Sequence, residues 1–177
     1  MQLRADIQIQ SVLKAMTDVI LPALDPQNQL AQEQVRLCMG LLSVLRQQLP
    51  LQFKFDLDEL KRQIALTERL LELAGGHEFG DHSVSKLQGE HAKAVDVLQR
   101  AKAGPDEVLA AVRALRSVTG ELLQAEDLQK SPLCPAVDHA VLESSRAQLL
   151  RDRSWVLAQN WEANPAAIPP IDTLLGA

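Results

Sequence analysis

The sequence predicts an all-α protein: an antiparallel helical bundle of about five to six helices, followed by an extended, proline-containing C-terminal tail. Three observations carry this. Apolar residues recur at three- and four-residue intervals in segment after segment, and no run alternates as a strand does. Aromatic residues are only 3% of the 177 and there is no tyrosine, so leucine, alanine and valine must fill the core, which suits helices. The run Leu30 to Leu49 is apolar nearly all round a helix, leaving a polar stripe through Gln29, Gln32, Arg36, Ser43 and Gln47. A helix of that kind is expected to lie at the centre, with Leu37, Leu41, Leu42 and Leu45 among the most buried positions. Gly40 sits within it at a cost of about 1 kcal/mol against alanine. The expected reason is a closely approaching neighbouring backbone.

The totals agree. Hydrophobic residues at 46% and charged residues at 23% are ordinary for a folded domain. The formal net charge of -5 argues against a nucleic-acid footprint. No apolar run approaches the roughly 18 residues that a membrane span needs. Two widely spaced cysteines, Cys38 and Cys134, make no metal-spaced motif. Cys38 reads as a small buried hydrophobe. With no signal peptide, the expected location is the cytoplasm.

In chain order, Ile9, Val12, Leu13, Met16, Val19, Ile20 and Leu24 mark a first helix from about Asp6 to Leu24, with Pro22 placed to kink or end it. Asp25-Pro26 signals a turn short enough to make an antiparallel hairpin with the second helix. Pro50 closes that helix, and Leu51 to Phe55 reads as an apolar connector. Asp56 with Glu59 then suggests an N-cap for the third helix, which carries Leu57, Leu60, Ile64 and Leu71 with a second row of Leu66, Leu70 and Leu73, and ends at Gly75-Gly76. Ser83 is the expected cap of a fourth helix, with Val84, Leu87, Ala94, Val95, Leu98 and Ala101 inward. Gly104-Pro105-Asp106-Glu107 is a strong start for a fifth, with Val108, Val112, Leu115, Val118 and Leu122 on one side. Ser131 to Pro135 is a rigid break. A sixth helix, about Ala136 to Trp161, carries Val141, Leu142, Leu149, Val156 and Leu157 and stops at Asn164-Pro165. The domain organisation is thus a bundle over residues 1–163 and an apolar tail over 164–177.

Candidate chemistry is sparse. His77, Glu78, Asp81, His82, Glu90 and His91 hold imidazoles and carboxylates that suit zinc or iron. The two first histidines are five apart, not four, and Gly80 interrupts them. A solvated loop is the preferred reading, with a metal-binding enzyme or sensor as the alternative. His91 reads as a partly buried histidine with one hydrogen-bonding partner. Arg146 and Arg153 share a face and suit a phosphate or carboxylate; ion pairs with Glu143 and Asp152 are the preferred reading. Ser144-Ser145 has no evident base, and no phosphate loop, GxSxG or dinucleotide fingerprint occurs. No catalytic residue, cofactor or metal is therefore assigned. The tail places Ile168, Ile171, Leu174 and Leu175 after prolines that forbid a long helix. These four, with Trp161, are the candidate partner-binding residues. The tail is expected to dock in a groove, on its own bundle near Trp155 and Trp161 or on a partner.

Val19-Ile20-Leu21-Pro22-x-Leu24, then Arg36-Leu37, Leu42, Val44-Leu45 and Leu49, resemble the first two helices of a small all-helical bacterial family of unknown function. The likeness covers about Asp6 to Leu49. Gly40 replaces the family's usual asparagine and Arg46-Gln47-Gln48 its charged triplet. That family occurs with aminoglycoside-phosphotransferase-like kinases and acyl-CoA dehydrogenases. The resemblance implies an accessory companion subunit for an enzyme acting on acyl-CoA thioesters, itself without chemistry. The expectation is thus a non-catalytic helical interaction protein with a protein partner or a homo-oligomer, no nucleic acid and no membrane. A self-associating structural bundle is a further alternative.

Overall fold

The computed structural model describes residues 4–75, 81–100, 102–159 and 161–175. Among them the chain is helical, with no strand. The α-helices are α1 Ala5–Ala15, α2 Leu21–Ala23, α3 Gln29–Gln48, α4 Gln52–Ala74, α5 Asp81–Gln99, α6 Pro105–Gln124, α7 Glu126–Gln129, α8 Cys134–Trp155 and α9 Ile171–Leu174. A π-helical turn, Met16–Ile20, joins α1 to α2, and 3-10 turns occupy Leu157–Gln159 and Pro165–Ala167. Two compact units are present: Met1–Gln52 with Asp152–Ile171, and Phe53–Arg151 with Asp172–Ala177.

In the first unit the expected hairpin forms. Pro22 lacks the N–H that would bond the Asp18 carbonyl, and the helix answers with the π turn just before it rather than a sharp break. Leu24 is extended and ends the segment. The turn is held by Gln27 N–H donating to Asp25 Oδ1 at 2.9 Å and Asn28 N–H to the Asp25 carbonyl at 3.0 Å. Asn28 caps α3 by accepting from Ala31 N–H at 3.0 Å. Arg46 reaches back to the Gln10 amide oxygen at 3.3 Å, so α3 runs antiparallel to α1.

The expectation that α3 is the enclosed central helix is wrong. Leu37, Leu41 and Leu45 are 55%, 53% and 51% exposed, Leu42 is half-buried, and only Val44 on α3 is buried. Cys38 is likewise exposed rather than a buried hydrophobe. Gly40 is not explained by a neighbouring backbone, because a Cβ there would meet nothing within 4 Å. Apolar spacing marks a face as apolar; it does not supply the surface that covers it.

The enclosed core lies in the second unit. Leu60, Ile64, Ala94, Val108, Val112 and Leu115 form one buried cluster, and Leu70, Ala74, Leu87, Val118, Leu122, Leu128 and Val137 another. Pairings along the helices set their directions. Lys86 meets Glu121 at 2.8 Å and Arg100 meets Glu107 at 2.8 Å, so α5 and α6 are antiparallel. Asp58 of α4 accepts from Arg151 of α8 at 2.9 Å, while Leu70 and Ala74 pack in the cluster of Val137, so these two are also antiparallel. The five residues expected on the inner side of α6 are all buried. Its start is also as expected: the Glu107 carboxylate accepts from the Gly104 N–H at 3.0 Å.

Several boundaries moved. Asp56 is not an N-cap; α4 already begins at Gln52, so the supposed connector is its first turn, with Phe55 buried and Phe53 exposed. Ser83 lies inside α5 rather than capping it. The last long helix ends at Trp155, and Leu142 and Leu149 point to solvent while Val137 is buried. Helix α7, with Leu128 fully buried, was not foreseen; four residues are too few to show a period. Gly76 and Ala101 lie outside the described residues.

Candidate partner-binding site

The five candidate partner-binding residues have different fates. Trp161 is 75% exposed. Ile168 and Leu175 are buried by the chain itself, and Ile171 and Leu174 are half-buried. The backbone explains the inward set. Pro165 opens a single 3-10 turn, Ile168 is extended, and the buried Ser154 hydroxyl donates to the Pro169 carbonyl at 2.7 Å. Short turns between prolines thus deliver Ile168 to its buried place without a long helix.

Trp161 is held differently. It stands at the rim of a groove of about 750 Å3 whose walls are α3, through Leu37, Cys38, Gly40 and Leu41, and Ala158, Gln159 and Trp161 itself. Glu33 and Arg36 lie at the α3 edge of the groove. Three hydrogen bonds fix the wall. Gln48 donates to the Trp155 carbonyl at 3.0 Å, and Arg153 forks onto Glu162, the residue after Trp161, at 2.9 and 2.7 Å. That fork holds the Glu162 carboxyl below the ordinary glutamate value, and Glu162 in turn raises the Arg153 guanidinium. Arg153 is therefore occupied by a carboxylate of its own chain, though by Glu162 rather than Asp152. Arg146 is exposed.

Exposed leucines run along α3 and onto its C-cap: Leu30, Leu37, Leu41, Leu45 and Leu49. On a 100° repeat they form one stripe. Val12, Val19 and Ile20 are exposed on the other arm of the hairpin.

A second groove of about 530 Å3 runs between α4 and α8. It brings Arg62, Arg69, His139, Glu143 and Ser144 together among alanines and Leu66 and Leu73. Its charges are already matched. Arg62 pairs with Asp58, Arg69 with Glu72 at 3.0 Å, and His139 Nδ1 with Glu143 at 3.6 Å. Burial, chiefly, lowers the Arg62 guanidinium from its ordinary value. The His139 imidazole in this groove thus lies beside a carboxylate on its own helix. Burial, then Asp138, raises the Cys134 thiol, which disfavours its thiolate.

Of the metal candidates, His77 and Glu78 lie outside the described residues. Among the described residues no group of three or more His, Cys, Asp or Glu is placed to hold a metal. His82 and His91 are nine residues apart on α5, about 13 Å along a helix. His91 has the partner expected of it: its Nε2 lies 3.4 Å from Glu68 Oε1 on α4, with the imidazole 20% exposed. Among the described residues no helix is long and apolar enough to cross a membrane.

No family model, curated protein or solved structure matches this chain. The groove at Trp161 and the leucine stripe were not assigned from sequence as one site. The signal was present in Leu37 and Leu41, but their spacing reads equally as core.

Proposed function

We propose that the protein is a non-catalytic helical interaction protein, an accessory subunit that works by binding another protein chain. The observation that carries this is the position of Trp161. Its indole stands in solvent over a groove walled by Leu37 and Leu41, and the exposed leucine stripe of α3 continues from it. Exposed apolar patches of this extent mark interaction surfaces, and tryptophan is enriched where interfaces concentrate their energy. The matched charges of the α4–α8 groove and the raised Cys134 thiol favour this reading over a hydrolytic one.

In this reading the long helices form the antiparallel bundle of five to six members expected from sequence, and the protein is cytoplasmic and bacterial. The resemblance of the segment from about Asp6 to Leu49 names the setting: a kinase or dehydrogenase system that handles acyl-CoA thioesters. The test is purification of the native protein with its partners, comparing wild type with Trp161→Ala. Retention of a kinase-like or dehydrogenase-like chain at equal stoichiometry by the wild type, and its loss from the variant, is the expected result. Equal retention by both would remove Trp161 and its groove from the interface.

A further inference from the structure

We infer that Arg153 and Ser154, together with Glu162, are positioning residues: they hold the backbone beside Trp161 in one place before a partner arrives. The inference rests on the reading of Trp161 as the partner anchor and adds how that anchor is presented.

The geometry is a two-point clamp. Arg153 and Ser154 are neighbours in the last turn of α8. Arg153 grips the Glu162 carboxylate at 2.9 and 2.7 Å, and the buried Ser154 hydroxyl donates to the Pro169 carbonyl at 2.7 Å. Two adjacent residues of one helix thus hold both ends of the segment from Glu162 to Pro169. The helix end itself is tied to α3, where Gln48 donates to the Trp155 carbonyl at 3.0 Å. All of these residues belong to the first unit.

The segment between the two grips is braced from within. The backbone N–H groups of Ala163 and Asn164 also reach the Glu162 carboxylate. Ala167 N–H donates to the Asn164 carbonyl and Ile168 N–H to the Pro165 carbonyl, each at 3.1 Å. Pro165 and Pro169 have fixed φ angles, and the Ile168 side chain is buried. A short surface segment closed at its ends and packed by its own side chains is of the Ω-loop kind, which is frequently functional.

The clamp acts on the residue next to it. A guanidinium fork fixes direction as well as distance, so the Glu162 carboxylate is held in one orientation. Trp161 is joined directly to Glu162 and is 75% exposed. An exposed side chain loses less freedom on binding when its backbone is already ordered. Tryptophan anchors concentrate binding energy, so order in the chain beside one acts on affinity.

The test is amide nitrogen relaxation NMR on the full chain, comparing wild type with Arg153→Ala and Glu162→Ala, with circular dichroism as the check on helicity. In the wild type the Trp161 and Glu162 amides are expected to have order parameters near about 0.85, the value of rigid backbone, and in both variants below about 0.6, the flexible range. The α3 and α6 amides are expected to keep their values. Where a partner chain co-purifies with the wild type, Glu162→Ala is expected to retain less of it, although the indole is intact and the Glu162 side chain is only 19% exposed. If a variant loses helicity, Glu162→Gln, which keeps the shape and removes the charge, decides in its place. Wild-type amides already in the flexible range overturn the inference, and so do variants that leave them rigid. Loosened amides with undiminished partner retention also overturn it, because the clamp then positions nothing. Equal retention by wild type and Trp161→Ala is a different failure: it overturns the interaction reading, while the relaxation data still decide the clamp.

Discussion

The Arg153 guanidinium grips the Glu162 carboxylate at two points, Nε to Oε2 at 2.9 Å and Nη2 to Oε1 at 2.7 Å. A planar fork on a carboxylate is the strongest form of this pair, and here it fixes the backbone next to Trp161. Because Arg153, first, and then backbone donors lower the folded value of Glu162, the sign follows. The stability from this group is fully present above the ordinary glutamate value and is lost as pH falls through the lowered folded value. Carboxyl NMR titration of Glu162 is expected to show a midpoint below that of an exposed glutamate. In Arg153→Gln the midpoint is expected to rise toward the ordinary range, the backbone donors remaining; an unmoved midpoint would contradict the fork.

Leu60 and Leu115 are completely buried, whereas Leu41 is 53% exposed. Leu60→Ala and Leu115→Ala are each expected to cost about 2–5 kcal/mol. Leu41→Ala is expected to cost less than about 1 kcal/mol. Urea unfolding of the three variants decides it, and a Leu41 cost as large as that of Leu60 would place α3 back in the core.

Asp58 accepts from both Arg62 and Arg151, with all three side chains less than 20% exposed. One carboxylate between two guanidiniums is the group whose loss leaves most charge uncompensated. Asp58→Ala is expected to destabilise by about 1–3 kcal/mol. Arg69→Ala, whose ion pair with Glu72 is mostly exposed, is expected to change stability by less than about 1 kcal/mol. Thermal unfolding of the two variants side by side checks the contrast.

Ile168 and Leu175 are 6% and 1% exposed despite lying in a segment broken by prolines. Each alanine replacement is expected to lower the stability of the isolated chain by about 2–5 kcal/mol. Removing residues 165–177 is expected to lower it at least as much. A truncated chain with unchanged stability would show that these side chains are not held by their own chain.

Local chemistry determined much of this protein directly from sequence. The Asp25-Pro26 turn, the Gly104-Pro105 start and the inner row of α6 follow from hydrogen-bonding groups, fixed φ values and spacing within a few residues of each other. The His91 pairing was legible for the same reason: a lone imidazole at the edge of an apolar face needs one polar neighbour, and Glu68 supplies it. The tertiary structure decided which faces are covered. Leu41 and Leu115 stand in equally apolar rows, yet one is half in solvent and the other fully enclosed. The inner face of α4 even buries Asp56, Glu59, Gln63 and Thr67, a row that reads as surface in the sequence. Arg116 pairs with Glu59, and the Thr67 hydroxyl is satisfied by the Gln63 and Ile64 carbonyls of its own helix. The same division separates Trp161 from Leu175. Burial belongs to two surfaces brought together from distant parts of the chain, and the period of either surface alone does not name its partner.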